Sequence, residues 1–484
     1  MKIKNGLTFN KNGWKYVSIS GKAKERGYAY GYLCAKEFIE IQKMLNYLMP
    51  ESYGMPWSWF IEEINKDFKV MTKTDFSENY EEMEGIVEGC EKNGCKTTVD
   101  EILAWNFYCS IPYWNGARSG SGGISGKEGG SKPSIKDKCS AFMAVGKNWT
   151  ENGKIVTAHN SFCDFIDGQW ANVVLDVNPE KGNRMLMQTS PLWLWSGTDF
   201  FVTSAGFIGT ETTFGGFHAY ALKVPIGYRI RKAMQYAKTL DDYSSMLLDG
   251  NSGDYANAWL IGDTKNNEIM RVELGLLYNN IEKTKDGYFI GFNAPYDFKI
   301  RNLEVENSGF YDIRRHQGAR KVRLGDLMDK HKGKLNIEVA QAIIADHYDV
   351  YLLKNDNPCS RTVCSHYDLD PREYMSQEGR PVPFAPHGAL DGIVCDSDLA
   401  NKMSFVARFG NSCGIDFNAE EYFKKHRQWE NFKPYVKDRP SQPWTEFSSS
   451  KSKLNKSKKN NNNEKDKKDK KDKKGNKGKT KKNK

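Results

Sequence analysis

A stretch rich in glycine and serine ends at a cysteine that opens an apolar run. Residues 116–138 contain almost no apolar side chains, whereas Cys139 precedes the letters SAFMAV, which are typical of a buried strand. Glycine and serine at this density predict exposed, flexible chain. The fold must therefore start a sheet strand directly after an accessible segment, at a residue whose thiol is a potential nucleophile.

Periodicity predicts layers of strand and helix around this point. Short apolar runs bounded by Gly, Pro or Asn predict strands within residues 139–217 and 257–292. Helical spacing of apolar residues dominates the chain before the glycine-rich stretch and returns over residues 229–248, 320–328 and 337–347. Strand clusters separated by blocks of helix favour sheets covered by helices over a strictly alternating βαβ arrangement.

The basic charge of the chain is concentrated in its last residues. Residues 451–484 carry 17 lysines and four acidic residues, a net charge of +13, against +10 for all 484 residues. The remainder is therefore close to neutral, at about −3. Repeated Lys-Lys-Asp without aromatic residues predicts a disordered tail, and contact of this tail with an anionic surface or a nucleic acid is the alternative.

Targeting and cofactor signatures are not visible in the sequence. The first residues show no apolar signal-peptide core, and no run of 18 apolar residues predicts a membrane helix. Ten cysteines without dense, regular spacing favour a reduced, intracellular protein, although the compartment stays undetermined. Walker A and dinucleotide-binding glycine motifs are absent, so no cofactor is predicted.

Two other site types match the sequence only in part. Residues 410–414 read GNSCG and match the G-x-S-x-G serine elbow, but too little chain follows for the acid and histidine of an α/β-hydrolase. Three Cys and His groupings fall short of four ligands at zinc-finger spacing. They are Cys359 and Cys364 with His366, Cys90 with Cys95, and His159 with Cys163. No metal site is predicted from the sequence.

Several blocks of the sequence resemble a known family. The block KCSAFMAVG with GKIVTAHNSFCDF resembles the nucleophile region of phospholipase B-like proteins and, more distantly, of penicillin acyltransferase-like cysteine peptidases. TDFFVTSAGFIGTETTF, NSGDYANAWLIGD and PHGALDGIVCDSD are similar to further phospholipase B-like blocks in the same order. GKAKERGYAYGYLCAKE resembles the N-terminal helix entry of both families. Both belong to the N-terminal nucleophile hydrolase superfamily, and the blocks together span residues 20–400.

The resemblance implies an α+β fold, specifically a four-layer αββα sandwich. Together with the composition of the chain, it predicts a division into four parts. Residues 1–115 would form the N-terminal portion of the hydrolase and residues 116–138 a cleavable linker. The core that carries the nucleophile would span residues 139–445, and residues 446–484 would form the tail.

The resemblance also assigns roles to individual residues. Cys139 matches the nucleophile, freed by autocatalytic cleavage between Lys138 and Cys139, so that its α-amine acts as the base. Asn257 falls where the family has its oxyanion-stabilising asparagine, and His159 matches a pocket histidine.

Four further residues are candidates for supporting roles. Thr213 and Arg320 correspond to supporting residues of the family. Thr212 or Arg315 would fit those two positions equally well. Asn160 and Asp164 are candidates for holding the α-amine.

The resulting hypothesis is a self-processing cysteine hydrolase that removes fatty acyl groups from phospholipid or other lipid esters. The aromatic letters SPLWLWSGTDFF at residues 190–201 would either line an apolar pocket or form core. One alternative is an amidase or acyltransferase of the penicillin acyltransferase-like type, acting on N-acyl amides. Another is a non-catalytic family member with a basic binding tail.

Overall fold

A computed structural model describes residues 1–118, 139–197, 200–306, 308–371 and 384–450. The strands of this part of the chain are β1 (Lys2–Ile3), β2 (Gly6–Lys11), β3 (Trp14–Gly21), β4 (Ser140–Val145), β5 (Val156–Asn160), β6 (Phe162–Asp164), β7 (Val173–Pro179), β8 (Met185–Thr189), β9 (Phe200–Thr203), β10 (Phe207–Thr213), β11 (Asn257–Asp263), β12 (Glu268–Leu274), β13 (Asn279–Thr284), β14 (Gly287–Gly291), β15 (His387–Ala389), β16 (Asp391–Asp396), β17 (Ser404–Phe409) and β18 (Thr445–Ser448). Its α-helices are α1 (Ala23–Tyr53), α2 (Trp57–Asp75), α3 (Ser77–Lys92), α4 (Val99–Asn106), α5 (Ile111–Arg118), α6 (Phe165–Gly168), α7 (Ile226–Tyr236), α8 (Leu240–Leu248), α9 (His316–Lys330), α10 (Ile337–Ile344), α11 (Ser397–Asn401) and α12 (Ala419–Lys425).

Two large sheets form the centre of the molecule. The larger sheet has the strand order β1-β2-β3-β7-β8-β9-β10-β11-β12-β13, and the smaller has the order β14-β4-β5-β16-β17-β18. Strands β15 and β6 form a separate pair. The inner faces of the two sheets share one apolar core, to which Met143 of β4 and Ile208 of β10 both contribute. The sheets are therefore stacked face to face.

Helices cover both outer faces. Helices α1 and α8 pack on the larger sheet, α3 packs on α1, and α9 and α10 pack on the smaller sheet. Successive side chains of a strand point to opposite faces of its sheet. Met143 of β4 accordingly faces the other sheet, while its neighbour Phe142 faces α9 and α10. The layers are helix, sheet, sheet and helix, which confirms the predicted αββα sandwich.

Four glycines let the first helix approach α3 at backbone distance. A Cβ atom on Gly27 or Gly31 of α1 would lie 2.0 Å from a carbonyl oxygen of α3. Conversely, a Cβ on Gly85 or Gly89 of α3 would lie 2.2 or 2.1 Å from a carbonyl oxygen of α1. Residues with side chains would push the two helices apart, so the glycines of the GKAKERGYAYGY block serve helix packing.

The observed boundaries differ in detail from the expected ones. Strand β3 pairs in parallel with β7, so chain from both sides of the predicted linker shares one sheet. Helix α5 runs to Arg118, which takes residues 116–118 out of that linker. The compact unit ends at Ser448 because Thr445 and Phe447 of β18 are buried against β17. The rest of the predicted linker and the tail from residue 451 onward lie outside the described residues.

The helix expected over residues 229–248 is two helices. Thr239 caps α8, accepting a hydrogen bond from the Asp242 amide at 3.0 Å, and the Asp242 carboxylate accepts one in return from the Thr239 amide. This reciprocal capping box starts a new helix and interrupts the stripe of apolar residues. Among the described residues, no helix combines the length and hydropathy needed to cross a bilayer.

Candidate active site

Cys139 immediately precedes β4, a strand of the smaller sheet. Its side chain is buried, with 1% of its surface exposed. Its backbone has φ of 96°, a region that L-residues with a Cβ atom adopt only under strain. The strained torsion is the N–Cα bond of Cys139, directly beside the Lys138–Cys139 peptide bond.

Arg320 of α9 holds the main chain at this point. Its Nη1 donates to the Cys139 carbonyl oxygen at 2.6 Å and to Ser140 Oγ at 3.1 Å. Its Nη2 donates to Asn293 Oδ1 at 2.6 Å, and its Nε donates to the His316 carbonyl within the same helix. A buried guanidinium with partners on every nitrogen is fixed in orientation, and it thereby fixes the cysteine. Of the two candidate arginines, Arg320 is the one that makes this contact.

Hydrogen bonds from Arg320 continue, through Asn293, to the ends of two strands of the larger sheet. Asn293 Nδ2 donates to the Thr213 carbonyl oxygen at 2.6 Å. Thr213, the last residue of β10, lies directly opposite Asn257, the first residue of β11. A chain of hydrogen bonds therefore joins Cys139 through Arg320 to the strand ends that carry the predicted oxyanion residue.

The side-chain amide of Asn257 is buried. Its surface is fully covered, and neither Nδ2 nor Oδ1 meets a donor or acceptor among the described residues. Leaving a buried polar group unpaired costs about 1–3 kcal/mol, so such a group calls for an explanation. An amide N–H held without a partner is available to a ligand oxygen that carries negative charge.

Asn160 and Asp164, the two candidates for the α-amine, have different surroundings. Asn160 Oδ1 accepts from the Ser140 amide at 3.2 Å, and its Nδ2 donates to the Ile344 carbonyl at 2.9 Å. Asp164 Oδ1 lies 2.9 Å from His387 Nδ1 across the β6–β15 pair. Asn160 thus contacts the residue next to Cys139, while Asp164 is engaged by a histidine.

His159 lies between the two sheets. It pairs across β5 with Ala141 and Ile393, which belong to the inter-sheet core, and it is fully buried. Burial lowers the pKa of the imidazole to about 3, and a backbone contact with Glu211 opposes this only in part. The ring is therefore neutral at physiological pH and is not poised to donate a proton.

A pocket opens beside the cysteine. Cys139, Trp105, Trp193, Phe162 and Leu390 contribute to its largely apolar wall. Trp193 comes from the aromatic stretch at residues 190–201, where its ring stacks on Trp195 at 5.6 Å between centroids. This stretch supplies both cavity wall and core. An apolar cavity with a nucleophile in its wall suits an acyl chain.

The family model described as Phospholipase B matches residues 9–449. The chain belongs to the phospholipase B family. It is 27% identical over 298 residues to a phospholipase B of Crotalus adamanteus, covering 56% of this chain and 51% of that protein. It is 25% identical over 306 residues to human phospholipase B-like 1, with the same coverage. The chain thus spans about half the length of the curated relatives it matches.

A solved structure also resembles this phospholipase B family member. It is a mutant of the conjugated bile acid hydrolase from Clostridium perfringens, with 10% identity and a TM-score of 0.32. The match covers 55% of this chain and 88% of that one.

Sequence reasoning missed two buried residues of this family member's site. Asn293, which links Arg320 to Thr213, follows a strand and carries no signal of its own in the sequence. Asp391 accepts from the Ser161 amide at 2.9 Å and from Gln188 Nε2 at 2.6 Å, and burial raises its pKa to about 6. A lone acid before the apolar letters GIVC could have pointed to a buried carboxylate.

The GNSCG segment of this phospholipase B family chain is a turn. Gly410 has φ of 86°, which explains the glycine after β17. The Ser412 hydroxyl is buried and donates to the Ile344 carbonyl at 2.7 Å. This serine serves packing, in agreement with the rejection of a serine elbow from the sequence.

Proposed function

We propose that the chain is a self-processing cysteine hydrolase of the N-terminal nucleophile type, and that it removes fatty acyl groups from phospholipid or related lipid esters. One observation carries the proposal: Cys139 is strained, buried in the wall of an apolar cavity and held through its own carbonyl by Arg320. Membership of the phospholipase B family and the names of its relatives support a lipid ester as substrate.

Processing would begin with attack by Cys139 Sγ on the carbonyl carbon of Lys138. The C–N bond breaks, the thiol proton passes to the leaving nitrogen, and a thioester joins the Lys138 carbonyl to the cysteine sulfur. Water then cleaves the thioester, leaving a carboxylate on Lys138 and a free α-amine on Cys139. Relief of the strained torsion favours this step by about 1–3 kcal/mol.

Turnover would use the new chain end as its own base. The α-amine, with an ordinary pKa of about 7.7, takes the thiol proton, and the thiolate attacks the ester carbon. The Asn257 amide donates to the oxyanion, and the alcohol leaves with the proton returned by the ammonium. Water, activated by the same amine, then attacks the thioester and releases the fatty acid. Because burial lowers the pKa of His159, its imidazole would accept the thiol proton poorly, and the base role falls to the α-amine.

Intact mass measurement and N-terminal sequencing of the purified full chain test the processing step. The wild type is expected as two fragments, the second beginning at Cys139. Cys139→Ala is expected to stay whole. Cys163→Ala is the matched control, since Cys163 is a second thiol in the wall of the same cavity. It should be cleaved as the wild type is.

Substrate assays on the processed protein separate the alternatives. Release of fatty acid from phosphatidylcholine vesicles, abolished by alkylation of Cys139, is the expected result. Hydrolysis confined to an N-acyl amide would replace the esterase with the amidase alternative. An unprocessed wild type that hydrolyses neither would support the non-catalytic alternative, and full turnover by an uncleaved chain would refute the mechanism.

A further inference from the structure

Four cysteine and histidine side chains lie close together, next to residues that contact Ser140 and Asn160. His347, Cys364, His366 and Cys413, which together form what we call the thiol–imidazole cluster, each present one ligand atom, and these atoms all lie within 4.8 Å of one another. We propose that the thiol–imidazole cluster binds one structural zinc ion, which fastens the loop after α10 to the turn after β17.

The distances fit tetrahedral coordination. With Zn–S near 2.3 Å and Zn–N near 2.05 Å, a tetrahedral site separates a sulfur from a nitrogen by about 3.6 Å. Cys364 Sγ and Cys413 Sγ each lie 3.5 Å from His366 Nε2. Two edges of the expected tetrahedron are therefore already in place. Two thiolates and two neutral imidazoles would give a neutral complex with Zn²⁺, after two thiol protons are released to solvent.

Each histidine has a carboxylate near its Nδ1 atom, where zinc ligands usually have an outer partner. His347 Nδ1 lies 3.2 Å from Asp356 Oδ1, whereas His366 Nδ1 lies 3.5 Å from Asp368 Oδ1 without the geometry of a hydrogen bond. The Asp356 carboxylate fixes the tautomer of His347, so that its Nε2 faces the metal. His347 Nε2 is buried and has no hydrogen-bond partner within the described part of the chain. It is thus oriented toward the cluster with its lone pair unused.

Cys413 has an outer partner as well. The Ile415 amide donates to Cys413 Sγ at 3.4 Å, while Ser412 Oγ, whose proton goes to the Ile344 carbonyl, lies 3.2 Å from Cys364 Sγ. A donor aimed at sulfur stabilises a thiolate. A disulfide between the two cysteines would use the sulfurs but leave both imidazole nitrogens with nothing to bind. Zinc accounts for all four side chains, so we favour it over the disulfide.

The cluster adjoins the residues that position the nucleophile. The carbonyl oxygen of Val363, next to Cys364, accepts from Ser140 Oγ at 3.0 Å and from Asn160 Nδ2 at 3.3 Å. Ser412 Oγ, next to Cys413, accepts from the same Asn160 amide at 3.3 Å. Zinc would therefore brace the strand that begins after Cys139 without contacting the reacting atoms. The zinc proposal stands apart from the proposed function, because metal content is measured whether or not the chain is processed.

Metal analysis of the full chain, purified under reducing conditions, tests the site. Wild type is expected to hold one zinc ion per chain, and Cys413→Ser is expected to hold none. Cys359→Ser is the matched control, because Cys359 is a buried thiol of the same loop whose sulfur instead lies 3.7 Å from Asp349 Oδ2. This control should keep its zinc. Replacing zinc by Co²⁺ in wild type should give the visible absorption of a tetrahedral site with two sulfur and two nitrogen ligands.

A second variant keeps the test informative if Cys413→Ser fails to fold. Asp356 has a largely exposed side chain, so Asp356→Asn should fold, and removal of this outer partner should weaken zinc affinity roughly 10-fold or more in competition with a chelator. Reduced wild type free of metal after incubation with zinc would overturn the proposal. So would a Cys364–Cys413 disulfide found by mass spectrometry, or unchanged zinc content in Cys413→Ser.

Discussion

Stability of the fold is expected to fall in acid because of one histidine. His159 is buried between the sheets, where its pKa is lowered to about 3 from an ordinary value of 6.5. Between these two values the unfolded chain binds a proton that the native chain excludes. The contribution of His159 to native stability is therefore fully present above pH 6.5 and is lost as the pH falls toward 3.

The size of the effect follows from the two pKa values. At pH 5 the loss relative to neutral pH is about 2 kcal/mol, and across the entire window it approaches about 5 kcal/mol. His159→Leu removes the titrating ring and should abolish this part of the pH dependence. The change in packing caused by His159→Leu costs the same free energy at every pH. The difference between the two proteins in how the free energy of unfolding changes with pH therefore measures the contribution of the imidazole.

Urea unfolding at pH 7 and pH 5 measures the effect, on a Cys139→Ala background so that processing does not intervene. The free energy of unfolding should drop by about 2 kcal/mol more with His159 present than with His159→Leu. His218→Leu, at an exposed position, should keep the wild-type slope. Asp391, whose pKa is raised to about 6 from 3.8, opposes the effect, since its contribution is lost as the pH rises through that window. Equal slopes for wild type and His159→Leu would refute the reasoning.

Two further predictions concern catalysis and packing. Asn257→Ala should lower kcat by about 100-fold or more while the melting temperature stays level or rises, because the proposed role of the amide is to stabilise an oxyanion and it has no partner among the described residues. Asn279→Ala, which also opens a strand but on an exposed edge, should leave kcat unchanged, and an Asn257→Ala enzyme of normal kcat would remove the assigned role. Gly31→Ala should destabilise the fold by about 3 kcal/mol in thermal or urea unfolding, since its Cβ would lie 2.0 Å from the Ile86 carbonyl oxygen. Gly325→Ala, in a helix with open space around the new methyl group, should instead stabilise by about 0.5–1 kcal/mol, and similar effects of the two changes would contradict the close helix contact.

Much of the fold could be predicted from the sequence because strands and helices leave local periodic signals. The run after Cys139 predicted β4, and the order of the blocks predicted the family and the αββα layers, both confirmed. Boundaries were harder to predict, since capping at Thr239 and the burial of Phe447 depend on a few side chains. The roles of Cys139, His159 and Asn257 in catalysis stay predictions.

The sequence alone determined where strands, helices and the glycine-rich stretch lie, because hydrophobic spacing and turn residues act over a few neighbours. Only the tertiary structure decided which distant side chains meet. Arg320 reaches the Cys139 carbonyl from another layer, and Cys413 approaches His366 from a separate turn. Such contacts arise when sheets stack and loops fold back, and no spacing along the chain encodes them.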